Sequence, residues 1–494
     1  MKVDVLLYVE DNISDDDLLF NNYYLPDKLK ETIKDITVIN EIYYCIPKVY
    51  SGKLQTKKES FIRTENDDIK LWKKIFSALG SDHIVKIFCD SAFLDISLIK
   101  DMIDLHIKFL AEFTYSENLP SGYSSEIVSR ELINEIPESE EKMLPLSTVI
   151  RSNINQFDVE LYYKEPDIRG KRISFRSSVP SEKKIMENIY NKLGKIPGYD
   201  EINNILNNNP DLIFVGPSYI DIELTGRCNL NCLFCYRMFL DETHSDMEID
   251  LYKKILTNMK SFQLPYSIAF GGSGEPMMHN NFYMALELAL NESLIENIVI
   301  ETNGIFADNN FKNFLLSYGN SKIKTIFNIN GMDEKTYTAI HKENYFNTVF
   351  QNITSLRDVL TDEDSIYIQI MKINETEETL DKYYDFWEKY KIPIILQKQN
   401  TFLGKIEDRR YSDLSPIERF PCWHLQRDMS ILSNGVVSFC KQDINGDSAK
   451  GNIKNDSLLD IWLNSKKHFI QNYFEKHPTK PDCKLCDEWY TYNL

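Results

Sequence analysis

The sequence predicts an α/β protein organised around about six parallel strands. Two observations carry this. Between residues 215 and 400, short apolar runs alternate with amphipathic segments, the pattern of a parallel sheet with right-handed crossovers. The residues with the richest chemistry stand at the carboxyl ends of those runs, where such folds bind ligands. Strands are expected at 219–224, 266–270, 297–300, 324–329, 365–371 and 393–396. Helices are expected at 250–259, 347–360 and 377–390.

A chain of 494 residues is too long for one ordinary core, so two or three domains are expected. A net charge of −19 argues against general affinity for nucleic acid or an anionic membrane. No apolar run approaches the ~20 residues of a membrane span, and the start is too short and too soon acidic for a signal peptide. Seven of nine cysteines fall in two metal-like groups, which suggests a reducing cytoplasm. Cys45 and Cys89 lie in apolar stretches and read as core.

The first region, 1–195, also alternates. Its strands include 3–9 and 84–89, and its helices 67–79, 97–110 and 181–193. The Asn-rich stretch 203–209 before Pro210 reads as a linker or surface turn. The runs Ile-Phe-Cys-Asp-Ser-Ala-Phe-Leu-Asp and Leu-Pro-Ser-Gly-Tyr-Ser-Ser-Glu-Ile resemble a sugar-nucleotide cytidylyltransferase of the GT-A type. That resemblance implies that Asp90 ends a strand and helps bind metal and nucleotide. The family's Gly- and Arg-rich loop is missing after the first strand. Glu10, Asp11, Asp15, Asp16 and Asp17 stand there instead and would repel a triphosphate. The domain therefore reads as a degenerate nucleotidyltransferase-like relative, for binding or scaffolding. Asp90 capping a turn is the simpler alternative.

Directly after the strand at 219–224 comes Glu-Leu-Thr-Gly-Arg-Cys-Asn-Leu-Asn-Cys-Leu-Phe-Cys-Tyr, with Cys228, Cys232 and Cys235 spaced Cys-x3-Cys-x2-Cys. Three thiolates leave a tetrahedral zinc site one ligand short. They suit three corners of a cubane iron–sulfur cluster and leave one iron open. This motif resembles the radical S-adenosylmethionine (radical SAM) superfamily. The resemblance implies a partial (β/α) barrel over 215–400. It implies a [4Fe–4S] cluster whose open iron takes SAM, and reductive cleavage of SAM to a 5′-deoxyadenosyl radical. A low-potential donor such as flavodoxin or ferredoxin would supply the electron.

The remaining motifs follow in order. Gly271-Gly-Ser-Gly-Glu-Pro276 matches the family's Gly-Gly-x-Gly-Glu-Pro form. Gly272 and Gly274 would let backbone approach a ligand closely, and Glu275 would receive the SAM amino group. At the next strand end, Thr302 and Asn303 either line the SAM pocket or form an Asx turn with Gly304. Asn330 stands before a glycine where many relatives have aspartate. It is able to hydrogen-bond to ribose but not to act as a base. Phe234 and Tyr236 flank the third cysteine, beside adenine or as shields of the cluster. Gln369 and Met371 share one strand face, which makes Gln369 a weaker pocket candidate. No side chain is assigned a catalytic role.

The tail, 418–494, holds Cys422, Cys440, Cys483 and Cys486. Residues 433–440 read as a β-hairpin with an Asn-Gly turn. The Cys-x12-Gly-x4-Cys opening resembles a SPASM domain, the auxiliary-cluster extension of radical SAM peptide-modifying enzymes, and the whole order resembles the spirochaete-type SPASM proteins. Complete SPASM domains carry cysteines for two clusters. Four suffice for one fully ligated auxiliary [4Fe–4S] cluster, or for a structural zinc. The expected function is radical modification of a peptide, protein or small molecule. The rival expectations are radical modification of a nucleotide-activated sugar presented by the first domain, and a non-enzymatic iron–sulfur carrier or sensor.

Overall fold

The structure is a computed structural model, and it describes residues 1–137, 144–318, 322–360, 365–413, 415–475 and 481–491. The chain divides into two compact units, Met1–Val215 and Gly216–Leu494.

The first unit holds a mixed seven-stranded sheet. Its strands are β1 (Val3–Tyr8), β2 (Ile39–Pro47), β3 (Ser60–Arg63), β4 (His83–Phe88), β5 (Phe113–Tyr115), β6 (Glu126–Ser129) and β7 (Val159–Leu161). Their spatial order is β3-β2-β1-β4-β6-β5-β7. Cys45 and Cys89 are fully buried in it. The Asn-rich stretch is a correction to the reading above: it lies in the helix Tyr199–Asn208, within the first unit. Ile202, Ile205 and Leu206 recur at helical spacing and bury one face, and this periodicity outweighs the turn preference of asparagine.

Asp90 follows β4 and is fully buried. Its Oδ1 accepts from Arg176 Nε at 2.6 Å, and its Oδ2 accepts from Ser178 Oγ. Arg176 also pairs with Glu10 at 3.0 Å and lies over the Phe88 ring. Nearby, Asp11 pairs with the buried Arg63 at 3.0 Å. Two of the acidic residues after β1, Glu10 and Asp11, are thus paired with internal arginines.

The second unit is built on a nine-stranded sheet. Six expected strands are present, within two residues of their expected bounds: β8 (Tyr219–Glu223), β9 (Tyr266–Gly271), β10 (Ile295–Thr302), β11 (Ile323–Asn328), β12 (Ile366–Lys372) and β13 (Ile394–Lys398). Each is parallel to the next. A seventh parallel strand, β14 (Asp428–Ile431), pairs with β8. It is also the first arm of the Asn-Gly hairpin, followed by the antiparallel β15 (Val436–Val437) and β16 (Gly451–Asn452). Gly435 turns the hairpin at φ +86°. The tail therefore continues the sheet that carries the cysteine loop. Among the described residues no helix is long and apolar enough to cross a membrane.

Side-chain alternation along these strands builds the interior in levels. Tyr219, Ala269, Val299 and Ile326 form an apolar floor, with Tyr367 and Ile395 packed against it. Two residues further along each strand stand Asp221, Gly271, Glu301, Asn328, Gln369 and Gln397, all facing one cavity. Parallel strands covered on both faces are usually apolar throughout, so this polar level is a departure that packing alone does not explain.

Candidate active site

The cavity above the floor has a volume of about 310 Å³. Cys228, Cys232 and Cys235 line it, with Phe234, Tyr236, Gly272, Gly274, Glu275, Thr302 and Asn303. Asn330 is the one sequence-predicted residue of this group that does not line it.

The cysteine loop is held mainly by backbone and guanidinium contacts. Cys232 and Cys235 form a turn closed by Cys235 N–H to Cys232 O at 3.1 Å. Arg237 donates to Cys228 O at 3.2 Å and to Leu230 O and Asn231 Oδ1 at 2.7 Å. Asn303 Nδ2 donates to Asn229 Oδ1 at 2.9 Å. At the loop entry, Arg227 forms a two-point pair with Asp246, at 2.8 and 2.6 Å. Burial raises the pKa of all three thiols, so a bound metal is what would hold them as thiolates.

The glycine motif packs against that loop. A Cβ on Gly274 would collide with the carbonyls of Thr225 and Arg227, and Gly272 has φ +95° with Glu223 beside it. Glu275 N–H donates to Arg227 O at 2.8 Å, which fixes Glu275 beside the loop. Its carboxylate is buried and accepts from Thr302 Oγ1 at 2.7 Å, Asn303 N at 2.8 Å and Met277 N at 3.2 Å. Burial pushes its pKa up to about 7, against the pull of those donors. Thr302 Oγ1 also accepts from Gly304 N, and Asn303 Oδ1 from Ile305 N. The turn and the cavity lining are thus one arrangement.

Several residues beyond the sequence reading complete the site. Burial would raise the pKa of Glu223, yet His244 at 2.6 Å and Ser273 at 2.6 Å hold it low. Burial pushes Asp221 up to about 7, and desolvation raises Glu301, whose side chain is open to the cavity, with Lys441 opposing both. Asp221 Oδ2 is buried without a hydrogen-bond partner. Lys398 and Lys441 both reach Glu488, at 3.1 and 3.0 Å. In sequence, 219–224 reads as an apolar run before the cysteine loop, which assigns its two acids no role.

A second cavity, of about 160 Å³, is lined by Cys422, Cys440, Cys483 and Cys486. Cys486 N–H closes onto Cys483 O at 3.1 Å, repeating the turn of the first cysteine loop. Cys422 N–H donates to Asn472 Oδ1 at 2.7 Å. Asp443 lines both cavities. None of the seven cysteines is in a disulfide. Each set of sulfurs lines one cavity, and the donor chemistry suits an iron–sulfur cluster, with three thiols in the first and four in the second.

Residues 222–386 match the Radical SAM superfamily model, and residues 422–487 match the SPASM iron–sulfur cluster-binding domain. An uncharacterized protein of Treponema pallidum is 27% identical over 360 residues, covering 70% of this chain and 97% of its own length. The tungsten-containing aldehyde ferredoxin oxidoreductase cofactor-modifying protein of Pyrococcus furiosus is 41% identical over 64 residues, 13% of this chain and 18% of that protein. Among solved structures, Streptococcus suis SuiB bound to S-adenosylmethionine is similar with a TM-score of 0.45 and 16% identity, over 63% of this chain and 82% of that one. The two domains imply a SAM-binding [4Fe–4S] cluster and auxiliary iron–sulfur binding. The chain thus carries a radical SAM domain followed by a SPASM domain.

Proposed function

We propose that this enzyme modifies a polar substrate, a peptide, protein or small molecule, held on the polar level of the second unit. Cys228, Cys232 and Cys235 would hold the SAM-binding cluster, and the four tail cysteines an auxiliary one. Glu275 would accept from the SAM amino group, with Gly272, Gly274, Thr302, Asn303, Phe234 and Tyr236 around the cofactor. Together the cluster and SAM supply a carbon-centred radical that removes hydrogen from a substrate. The chain's own part is to hold the reactants in line and keep water out.

One observation carries the substrate reading. Hydrogen-bonding side chains from five of the six strands β8–β13 face the same cavity as the cysteine loop. Buried polar groups are costly unless paired, and Asp221 Oδ2 has no partner within the protein. A substrate bearing hydroxyl or amine donors would satisfy it. Asp221→Asn and Glu301→Gln are therefore expected to leave slow, uncoupled 5′-deoxyadenosine formation intact. In reconstituted enzyme with dithionite, a substrate that accelerates this formation in the wild type should fail to do so in the variants. Acceleration of wild type and variants alike would move the substrate site elsewhere.

The first unit reads as a degenerate nucleotidyltransferase-like domain that does not transfer nucleotides. A cytidylyltransferase must neutralise a triphosphate with amides, basic groups and Mg²⁺, whereas the Asp90 carboxylate already faces Arg176. The full chain should release no pyrophosphate from CTP with any acid sugar. Turnover of CTP would make the nucleotide-sugar reading the leading one.

A further inference from the structure

The helix Glu334–His341 ends beside the cysteine loop. Two contacts join them. Leu233 N–H donates to Ile340 O at 2.9 Å, and His341 Nδ1 lies 3.1 Å from Cys232 Sγ. The imidazole is buried and stacked on Tyr337, with centroids 4.2 Å apart.

The tautomer of His341 follows from its other nitrogen. The backbone N–H of Asn330 points at Nε2 from 3.2 Å, and a backbone N–H only donates. The Asn330 amide is oriented the same way. Its Oδ1 accepts from Met371 N at 2.6 Å, which leaves Nδ2–H₂ facing Nε2 at 3.5 Å. Nε2 is therefore the bare acceptor nitrogen, and a neutral ring carries its one hydrogen on Nδ1. That hydrogen points at the cysteine sulfur. This also gives Asn330 a use: an aspartate there would set a second acceptor against Nε2.

We propose that His341 is a positioning residue that donates its Nδ1–H to the Cys232 sulfur and raises the reduction potential of the SAM-binding cluster. A hydrogen bond to a ligand sulfur withdraws electron density from it and favours the more negative, reduced cluster. The proposal rests on Cys232 being a cluster ligand.

The test is an EPR-monitored redox titration of reconstituted full-length holoenzyme, following the signal that SAM perturbs. His341→Phe keeps a ring against Tyr337 but removes the donor, and its midpoint should fall below that of the wild type. His341→Asn sets an amide N–H near the Nδ1 position and should return the midpoint towards the wild-type value. If His341→Phe cannot retain the cluster, retention by His341→Asn with the wild-type midpoint still supports the donor role. An unchanged midpoint in His341→Phe would overturn the proposal. So would equal shifts, or equal loss of the cluster, in both variants, since packing alone would then account for them. Cys232→Ala with iron and SAM-perturbed signal intact would instead remove the cluster assignment on which the proposal stands.

Discussion

Replacing Cys228, Cys232 and Cys235 together by alanine should halve the iron content and abolish SAM cleavage. Anaerobically prepared wild type should hold about eight irons per chain, as two cubanes of four. The two cysteine sets line separate cavities, so the loss should be confined to the first. The effect should be all or none, because the loop holds no other cysteine to replace them. Iron analysis and 5′-deoxyadenosine formation measure the two halves of this prediction. Unchanged cleavage in the triple variant would sink the assignment of the loop. One zinc and only four irons in the wild type would make the tail a structural zinc site.

Glu275→Gln should weaken SAM binding by about 1.5–3 kcal/mol, the scale of a charge-assisted hydrogen bond, with iron content hardly changed. The effect has a pH signature. The folded Glu275 carboxyl is pushed up to about 7, above its ordinary value of about 4.3. Without SAM its contribution to stability is complete below that ordinary value and is lost as pH rises through about 7. SAM binding needs the ionised acceptor, so its linkage has the opposite sign. The advantage of wild type over variant should narrow as pH falls from about 8 to about 6. Titration of SAM itself is common to both and cancels in the ratio. Calorimetric SAM binding to cluster-loaded protein across that range checks it, and equal affinities throughout would remove Glu275 from the site.

Much of the second unit was legible in sequence because its strands are short β-branched runs separated by amphipathic helices. The motifs at their carboxyl ends then mapped onto one cavity. What escaped the reading escaped for identifiable reasons. β14 is four residues long and lies just before the hairpin expected at 433–440, and its pairing with β8 depends on residues 209 positions away. The asparagines at 203–209 carry a turn signal that the buried face of Ile202, Ile205 and Leu206 overrides. Asp221 and Glu301 look like outward residues under alternation, because a sequence does not say that both faces of a strand are covered. His341 belongs to no motif, and only the path of its helix brings it to Cys232, 109 residues earlier. Asn330, which its place before a glycine offers as a ribose contact, turns its amide oxygen to Met371 N and its amide nitrogen towards His341.

The polar level above the apolar floor ties folding to occupancy. It places hydrogen-bonding groups where a parallel sheet would otherwise gain apolar packing, so the second unit forgoes cohesion at its centre. A molecule that pairs those groups returns it, and by mass action adds about 2.7 kcal/mol to the folded state at a hundredfold excess over its dissociation constant. Resistance of the holoenzyme to heat thereby becomes a property of the substrate as much as of the chain. The protein's own melting reports its correct partner before any chemistry takes place.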